Sequence, residues 1–132
     1  MLTVRQRLAK DEGFTLIELL VVLIIIGILL SIAVPSYLGF RDKAQKTAAA
    51  ADVREAMPSA EAFFSDQVPN NTYTGLSVAA LKTYDSGLSS AIDVAKPENG
   101  GAAYCIHATV GSHTAIVNGP GGTVTPDGGN CA

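Results

Sequence analysis

The chain has 132 residues, a formal net charge of −3 and two cysteines. This length leaves room for one modest domain and one membrane segment. The mild acidity excludes a nucleic acid as the main partner, because such partners bind basic surfaces. Residues 1–13 carry three positive and two negative groups, so a chain without them has a net charge of −4.

The first segment is a polar leader over residues 1–13, with basic side chains at Arg5, Arg7 and Lys10. Residues 14–35 follow as an apolar run, which predicts a helix long enough to cross the roughly 30 Å hydrocarbon core of a bilayer. An ordinary cleaved signal peptide also begins with basic residues. The apolar stretch here is longer than an ordinary signal core, and no A-x-A-like site closes it.

One carboxylate, Glu18, lies inside the apolar run. A charge at membrane depth costs several kcal/mol unless it is paired, so an ionisable residue there indicates function. The alternative is a helix-start residue, which the positive end of the helix dipole favours.

Residues 36–67 predict an amphipathic helix, because apolar side chains recur at intervals of three and four and residues 48–51 are all alanine. Pro35 predicts a kink, and Pro58 predicts a second kink or a break. The mixed charges just after the apolar run predict a solvated helix face; they are Arg41, Asp42, Lys43 and Lys46.

Residues 68–101 predict a variable loop region, rich in turn-forming residues. Within it, residues 76–84 favour a short helix with Ser77 as the N-cap, and residues 85–101 favour irregular structure. The triplet Asn70-Asn71-Thr72 matches the N-glycosylation pattern, as do many unmodified loops.

Residues 102–132 predict an antiparallel sheet, because the period of the apolar residues switches from the helical spacing to two. Gly111-Ser112 fits a hairpin turn between strands at 104–110 and 113–118, and residues 123–125 predict a short third strand. The side expected to pack on the helix carries Tyr104, Ile106, Ala108, Ala115 and Val117. This hairpin register places His107 and His113 on opposite faces, so they cannot bind one metal ion together.

Cys105 and Cys131 are far from the apolar run, with no metal-binding spacing and no catalytic context. Such a pair predicts a disulfide in an oxidising compartment, the alternative being two free thiols. The fold class expected is therefore α+β: a long N-terminal helix, membrane-spanning in its first half and amphipathic in its second, packed on a small antiparallel β-sheet whose C-terminal loop is closed by the disulfide.

The segment from Gly13 to Val22, read as GFTLIELLVV, resembles the processing and methylation site of type IV prepilins and the related pseudopilins. The resemblance extends over residues 10–40 and includes Gly27 and Pro35. It implies cleavage after Gly13, N-methylation of Phe14 and assembly into a helical filament. Assembly is then expected to depend on Phe14, Glu18, Gly27 and Pro35, with Glu18 of an incoming subunit meeting the Phe14 amine of its neighbour.

The function expected from this resemblance is a structural subunit of a type IV pilus, the alternative being a pseudopilin of a type II secretion or DNA-uptake machine. A type II major pseudopilin is expected to carry a carboxylate-rich calcium loop late in the chain, and here only Asp127 follows Glu98. No nucleophile–base pair or ligand cluster predicts an enzyme, a cofactor or a metal site.

The resemblance also implies partners and locations. The partners expected are other copies of the chain, the prepilin peptidase and N-methyltransferase, the assembly platform with its motor, and membrane lipid before assembly. The subunit is expected in the cytoplasmic membrane first and in an extracellular pilus afterwards, with adhesion, motility and DNA uptake left open.

Overall fold

The computed structural model of the chain describes residues 13–132, so the predicted leader lies outside the described residues apart from Gly13. Two helices are followed by four strands. They are α1 (Leu16–Asp66), α2 (Val78–Tyr84), β1 (Ile92–Glu98), β2 (Ala103–Val110), β3 (His113–Gly119) and β4 (Thr125–Pro126), with a 3-10 turn at Asn99–Gly101 between β1 and β2. The predicted α+β fold class is confirmed.

Helix α1 runs for 51 residues and continues through both Pro35 and Pro58. The alternative of a break at Pro58 is therefore wrong. Proline removes one backbone hydrogen bond, but Ala56 and Ala60 on either side of Pro58 are fully buried in the core. Their packing holds the helical conformation across the site.

The chain divides into two compact units, with the boundary between Gly39 and Phe40. In the described part of the first unit every residue is exposed. In the second unit one stripe of α1 is buried, at the spacing of an amphipathic helix. Its members are Ala49, Ala50, Val53, Ala56, Ser59, Ala60 and Phe63.

The sheet is an antiparallel meander in the order β1-β2-β3-β4. Val110 pairs with His113 and His107 pairs with Ile116, which confirms the register predicted from the Gly111-Ser112 turn. Gly111 has a φ of +62°, a conformation that most side chains avoid. The third predicted strand lies slightly later than expected, at Thr125–Pro126.

Strand β1 was missed, and the prediction of irregular structure over residues 85–101 is wrong because Ile92–Glu98 pairs with β2. Its register shifts between Ile92 and Val94, which breaks the alternation that would have marked it as a strand. It also contains Pro97, which a strand tolerates at the edge of a sheet. The short predicted helix is confirmed as α2, where Ser77 Oγ accepts a hydrogen bond from the Ala80 N–H at 3.1 Å.

The core lies between the buried stripe of α1 and one face of the sheet. The five residues predicted for that face are all at most 1% exposed, which confirms their burial. The ring of Tyr73 lies between those of Phe64 and Tyr104, tilted against the first and edge-on to the second, with centroid separations of 4.6 and 4.8 Å. A side chain on Gly119 would overlap the Tyr104 ring, so this position admits only glycine.

Candidate processing and assembly site

The start of α1 is built around reciprocal contacts between Thr15 and Glu18. The Thr15 N–H and the Thr15 hydroxyl both donate to Glu18 Oε2, at 2.8 and 2.9 Å, and the Glu18 N–H donates to Thr15 Oγ1 at 3.3 Å. This arrangement is a capping box, in which each side chain satisfies the other residue's backbone N–H.

The capping box places the Glu18 carboxylate at the very beginning of the helix, on the amide of Thr15. The Glu18 carboxylate accepts a hydrogen bond from the Thr15 amide, and Phe14 is the residue before Thr15. Cleavage after Gly13 would therefore place the new α-amine on the residue next to the one that the carboxylate binds. The role of Thr15 was missed from the sequence. The T-x-x-E spacing of Thr15 and Glu18 ahead of an apolar run is a recognised helix-start pattern and would have predicted it.

An exposed apolar surface surrounds this carboxylate. Phe14 is 92% exposed, and large aliphatic side chains cover the helix as far as Val34. Within residues 13–132, α1 is the one helix that is long and apolar enough to cross a membrane. In water, such a surface marks an interaction site or a membrane segment.

Gly27 and Pro35 both lie within this apolar part of α1. A side chain built on Gly27 would meet nothing within 4 Å in the single chain. Glycine in a helix interior costs about 1 kcal/mol relative to alanine, and no contact within the chain accounts for it here.

Cys105 and Cys131 form a disulfide. Cys105 lies in the middle of the sheet on β2 and is fully buried, whereas Cys131 lies beyond β4. The bond therefore fastens the C-terminal segment to the sheet face that points away from α1.

The charges expected to form a solvated face at residues 41–46 of α1 are exposed, and two of them also make charged contacts with other elements. Asp42 Oδ1 lies 2.7 Å from His113 Nε2, and Lys46 Nζ lies 2.6 Å from Asp127 Oδ2. His113 Nδ1 also lies 2.8 Å from Asp127 Oδ1. All four residues are nevertheless exposed, which confirms the predicted solvated face. Asp42 and Lys46 make these contacts because the turn between β2 and β3 brings His113 over this part of the helix.

The two histidines lie in separate environments on opposite faces of the sheet. His107 is 4% exposed, and its Nδ1 lies 2.6 Å from Asp93 Oδ1, while Thr109 donates to Asp93 Oδ2 at 2.7 Å. Among residues 13–132 no group of three or more His, Cys, Asp or Glu side chains is arranged to hold a metal ion.

The family model for the prokaryotic N-terminal methylation motif matches residues 8–34. The type IV wide pilus major component PilA4 of Thermus thermophilus is 35% identical over 122 residues, covering 89% of this chain and 84% of that protein. The chain belongs to the type IV prepilin family. Because the alignment with the Thermus protein covers 89% of this chain, it includes most of the domain as well as the N-terminal motif.

Other members of the family match over shorter stretches. A fimbrial protein of Pseudomonas aeruginosa is 32% identical over 97 residues, covering 68% of this prepilin and 63% of that chain. The type II secretion system core protein G of Escherichia coli is 48% identical, but over only 44 residues, covering 33% of this chain and 30% of that protein. No solved structure matches the chain.

Proposed function

We propose that this prepilin is a structural, non-enzymatic subunit of a type IV pilus, cut after Gly13, methylated at Phe14 and polymerised through the apolar part of α1. The observation that carries the proposal is a single carboxylate, Glu18, fixed at the first turn of a largely apolar and exposed helix segment. The extended similarity to the pilus component of Thermus supports a pilin.

In this scheme the exposed apolar surface is covered first by lipid and later by other subunits. Before assembly, membrane lipid covers the side chains from Phe14 to Val34. In the filament the same segment of other copies replaces the lipid, and helices in an apolar medium associate through close packing at small residues. Gly27 is suited to such a contact, because it presents bare backbone that nothing in its own chain covers.

In this packing the Glu18 carboxylate would determine the axial register between neighbouring subunits. Opposite charges attract strongly in a medium of low dielectric, and an unpaired charge there is costly. The freed amine of Phe14 in a neighbouring subunit is a partner of the required sign. Pairing of the two groups would favour one axial register over all others, which apolar packing alone does not do.

Other partners follow from the same scheme. A prepilin peptidase would cut after Gly13 and methylate Phe14, and an assembly platform with its motor would move the subunit from the cytoplasmic membrane into an extracellular pilus. The disulfide is consistent with an oxidising location for the domain.

A pseudopilin of a type II secretion or DNA-uptake machine is the second candidate, because the match to protein G is strong over its 44 residues. The C-terminal domain favours the pilin. Asp127 is the only carboxylate after Glu98, and it is bound to Lys46 and His113 rather than placed in a group that could hold calcium.

The experiment that tests the proposal replaces Glu18 with Gln, which keeps the size and hydrogen-bonding ability of the side chain and removes its charge. We expect Glu18→Gln to insert, to be cut at Gly13 and to accumulate in the membrane, but to give little or no filament. Glu18→Ala should behave alike. The measurement is the yield of sheared filaments relative to the membrane pool, with intact mass recorded for both fractions.

The wild-type filament mass serves as the internal control. It should correspond to a chain that begins at Phe14 and carries one additional methyl group. Normal filament yields from both Glu18 variants would show that this residue only starts the helix. A mature chain beginning after residue 30 would contradict the pilin proposal and indicate an ordinary secreted protein.

A further inference from the structure

Three elements meet at His113, the first residue of β3. Its Nε2 lies 2.7 Å from Asp42 Oδ1 on α1, and its Nδ1 lies 2.8 Å from Asp127 Oδ1, just after β4. The Lys46 ammonium contacts the other Asp127 oxygen at 2.6 Å, and the Asp127 N–H donates to the Thr114 carbonyl at 2.7 Å. The imidazole is thus enclosed between two carboxylates that come from different parts of the chain.

The chemistry of the two partners fixes the protonation state of this ring. A neutral imidazole has one N–H donor and one acceptor nitrogen, whereas an ionised carboxylate only accepts. Both contacts of His113 can therefore be hydrogen bonds only if both ring nitrogens carry a hydrogen. In the neutral form one bond is kept, and the lone pair of the other nitrogen faces a carboxylate oxygen.

The surrounding charges agree with a protonated ring. The hydrogen bonds to Asp42 and to Asp127 raise the pKa of His113 above its ordinary 6.5. Lys46, followed by His113, lowers the pKa of Asp127 to about 2. The charged groups that contact this cluster are Asp42 and Lys46 from α1 and Asp127 from the end of β4. The residue opposite His113 on β2 is Val110, which adds no charge.

We propose that His113 is a proton-dependent clamp that fastens the segment after β4 and the helix α1 to β3. The clamp is closed while the imidazole is protonated and loosens as it becomes neutral. Because the folded-state pKa of His113 is raised, its contribution to stability is complete below pH 6.5 and is lost as the pH rises through the folded value. The Asp127 contribution is complete above pH 3.8 and is lost as the pH falls towards 2.

The part of the chain that responds lies between the end of β3 and Cys131. Strand β4 has only two residues, and its pairing with β3 consists of Ala115 with Pro126 and Ile116 with Thr125. The disulfide holds the far end at Cys131 whatever the pH. Opening of the clamp therefore loosens β4 and the turn before it, which Lys46 and the Thr114 carbonyl still hold through Asp127, while the rest of the sheet stays in place.

The test uses the full chain in detergent micelles with isotope-labelled histidine, and follows the ring nitrogens by NMR from pH 4 to 9. We expect both nitrogens of His113 to be protonated at pH 6.5 and the titration midpoint to lie above 6.5. Amide exchange of Asp127, corrected for its intrinsic pH dependence, should accelerate across the same midpoint. Asp42→Asn should lower the midpoint, because Asn can accept one bond but does not attract the cation.

Glu55→Gln is the matched control, since it removes one exposed carboxylate from α1 at a site distant in sequence from the cluster and should leave the midpoint unchanged. His113→Gln should make the exchange of Asp127 independent of pH. If that variant does not fold, Asp42→Asn, whose side chain is 63% exposed in the native chain, carries the test. A His113 midpoint at or below 6.5, or one that Asp42→Asn leaves unchanged, would overturn the clamp.

Discussion

Glu18 has two possible partners, and they act at different stages. In the single chain its carboxylate accepts two hydrogen bonds from Thr15, as the N3 residue of a capping box. In the proposed filament it also meets a cationic amine. The position of Glu18 in an apolar run indicated a functional residue, and the resemblance to prepilins predicted that its function is filament assembly. The local role depended on side-chain geometry that charge and hydropathy alone do not describe.

Thr15→Val tests the local role, because valine keeps the shape of the side chain and removes its hydroxyl. Loss of an N-cap hydroxyl typically costs about 1 kcal/mol, so we expect the amide of Glu18 to exchange roughly fivefold faster in micelles. Thr15→Ser keeps the hydroxyl and should exchange like the wild type. Equal exchange rates for the valine and serine variants would show that Thr15 does not cap α1.

At the scale of elements, periodicity predicted those whose pattern is regular. Strands β2 and β3 alternate cleanly around a turn with glycine in the first place, and both their register and their buried face were predicted. Strand β1 was missed because a register shift after Ile92 and the proline at residue 97 disturb its pattern. The contacts of Asp42 with His113 could not be predicted either, since the two residues are 71 positions apart and meet only through tertiary packing.

The disulfide is the element-scale feature with the largest expected effect on stability. Cys131→Ser removes a bridge with a sequence separation of 26 residues, and the chain-entropy relation gives about 3.5 kcal/mol for such a loop. The melting temperature of the C-terminal domain should fall by roughly 15–25 °C, while membrane insertion is unaffected.

The double variant Cys105→Ser/Cys131→Ser provides the control for the disulfide prediction. It should melt close to the single variant, since either change already removes the bond. Thermal unfolding followed by circular dichroism in detergent measures both. An unchanged melting temperature in Cys131→Ser would show that packing alone holds the C-terminal segment.

At the scale of the whole molecule, the first unit of the chain needs lipid or other subunits to cover its apolar side chains. Every described residue up to Gly39 is exposed, and most of their side chains are apolar. A sequence with this composition predicts a membrane segment directly. Which faces of the helix meet a neighbouring subunit depends on the helical symmetry of the filament, which neither the sequence nor a single chain contains.

Gly27→Leu separates the single subunit from the filament. The single chain has open space at this position, and leucine has the higher helix propensity, so insertion and subunit stability should be kept or improved. If neighbouring helices approach each other at Gly27, the filament yield should fall at least tenfold, with Gly27→Ala intermediate.

Ile28→Leu is the volume-neutral control for the glycine series, and it should assemble normally. Sheared filament yield, normalised to the membrane pool, gives the comparison. A wild-type filament yield from Gly27→Leu would show that neighbouring helices do not meet at Gly27. Assembly would then be assigned to Glu18 without this glycine.

The meander order of the sheet also has a kinetic consequence. Each strand pairs with the strand that comes next in the chain, so no strand has to wait for a distant segment before its hydrogen bonds form. Short-range pairings of this kind lower the contact order and speed folding, and a single hairpin closes within microseconds. The strands can therefore pair in chain order, which shortens the time during which unpaired strand edges are exposed to other subunits before they polymerise.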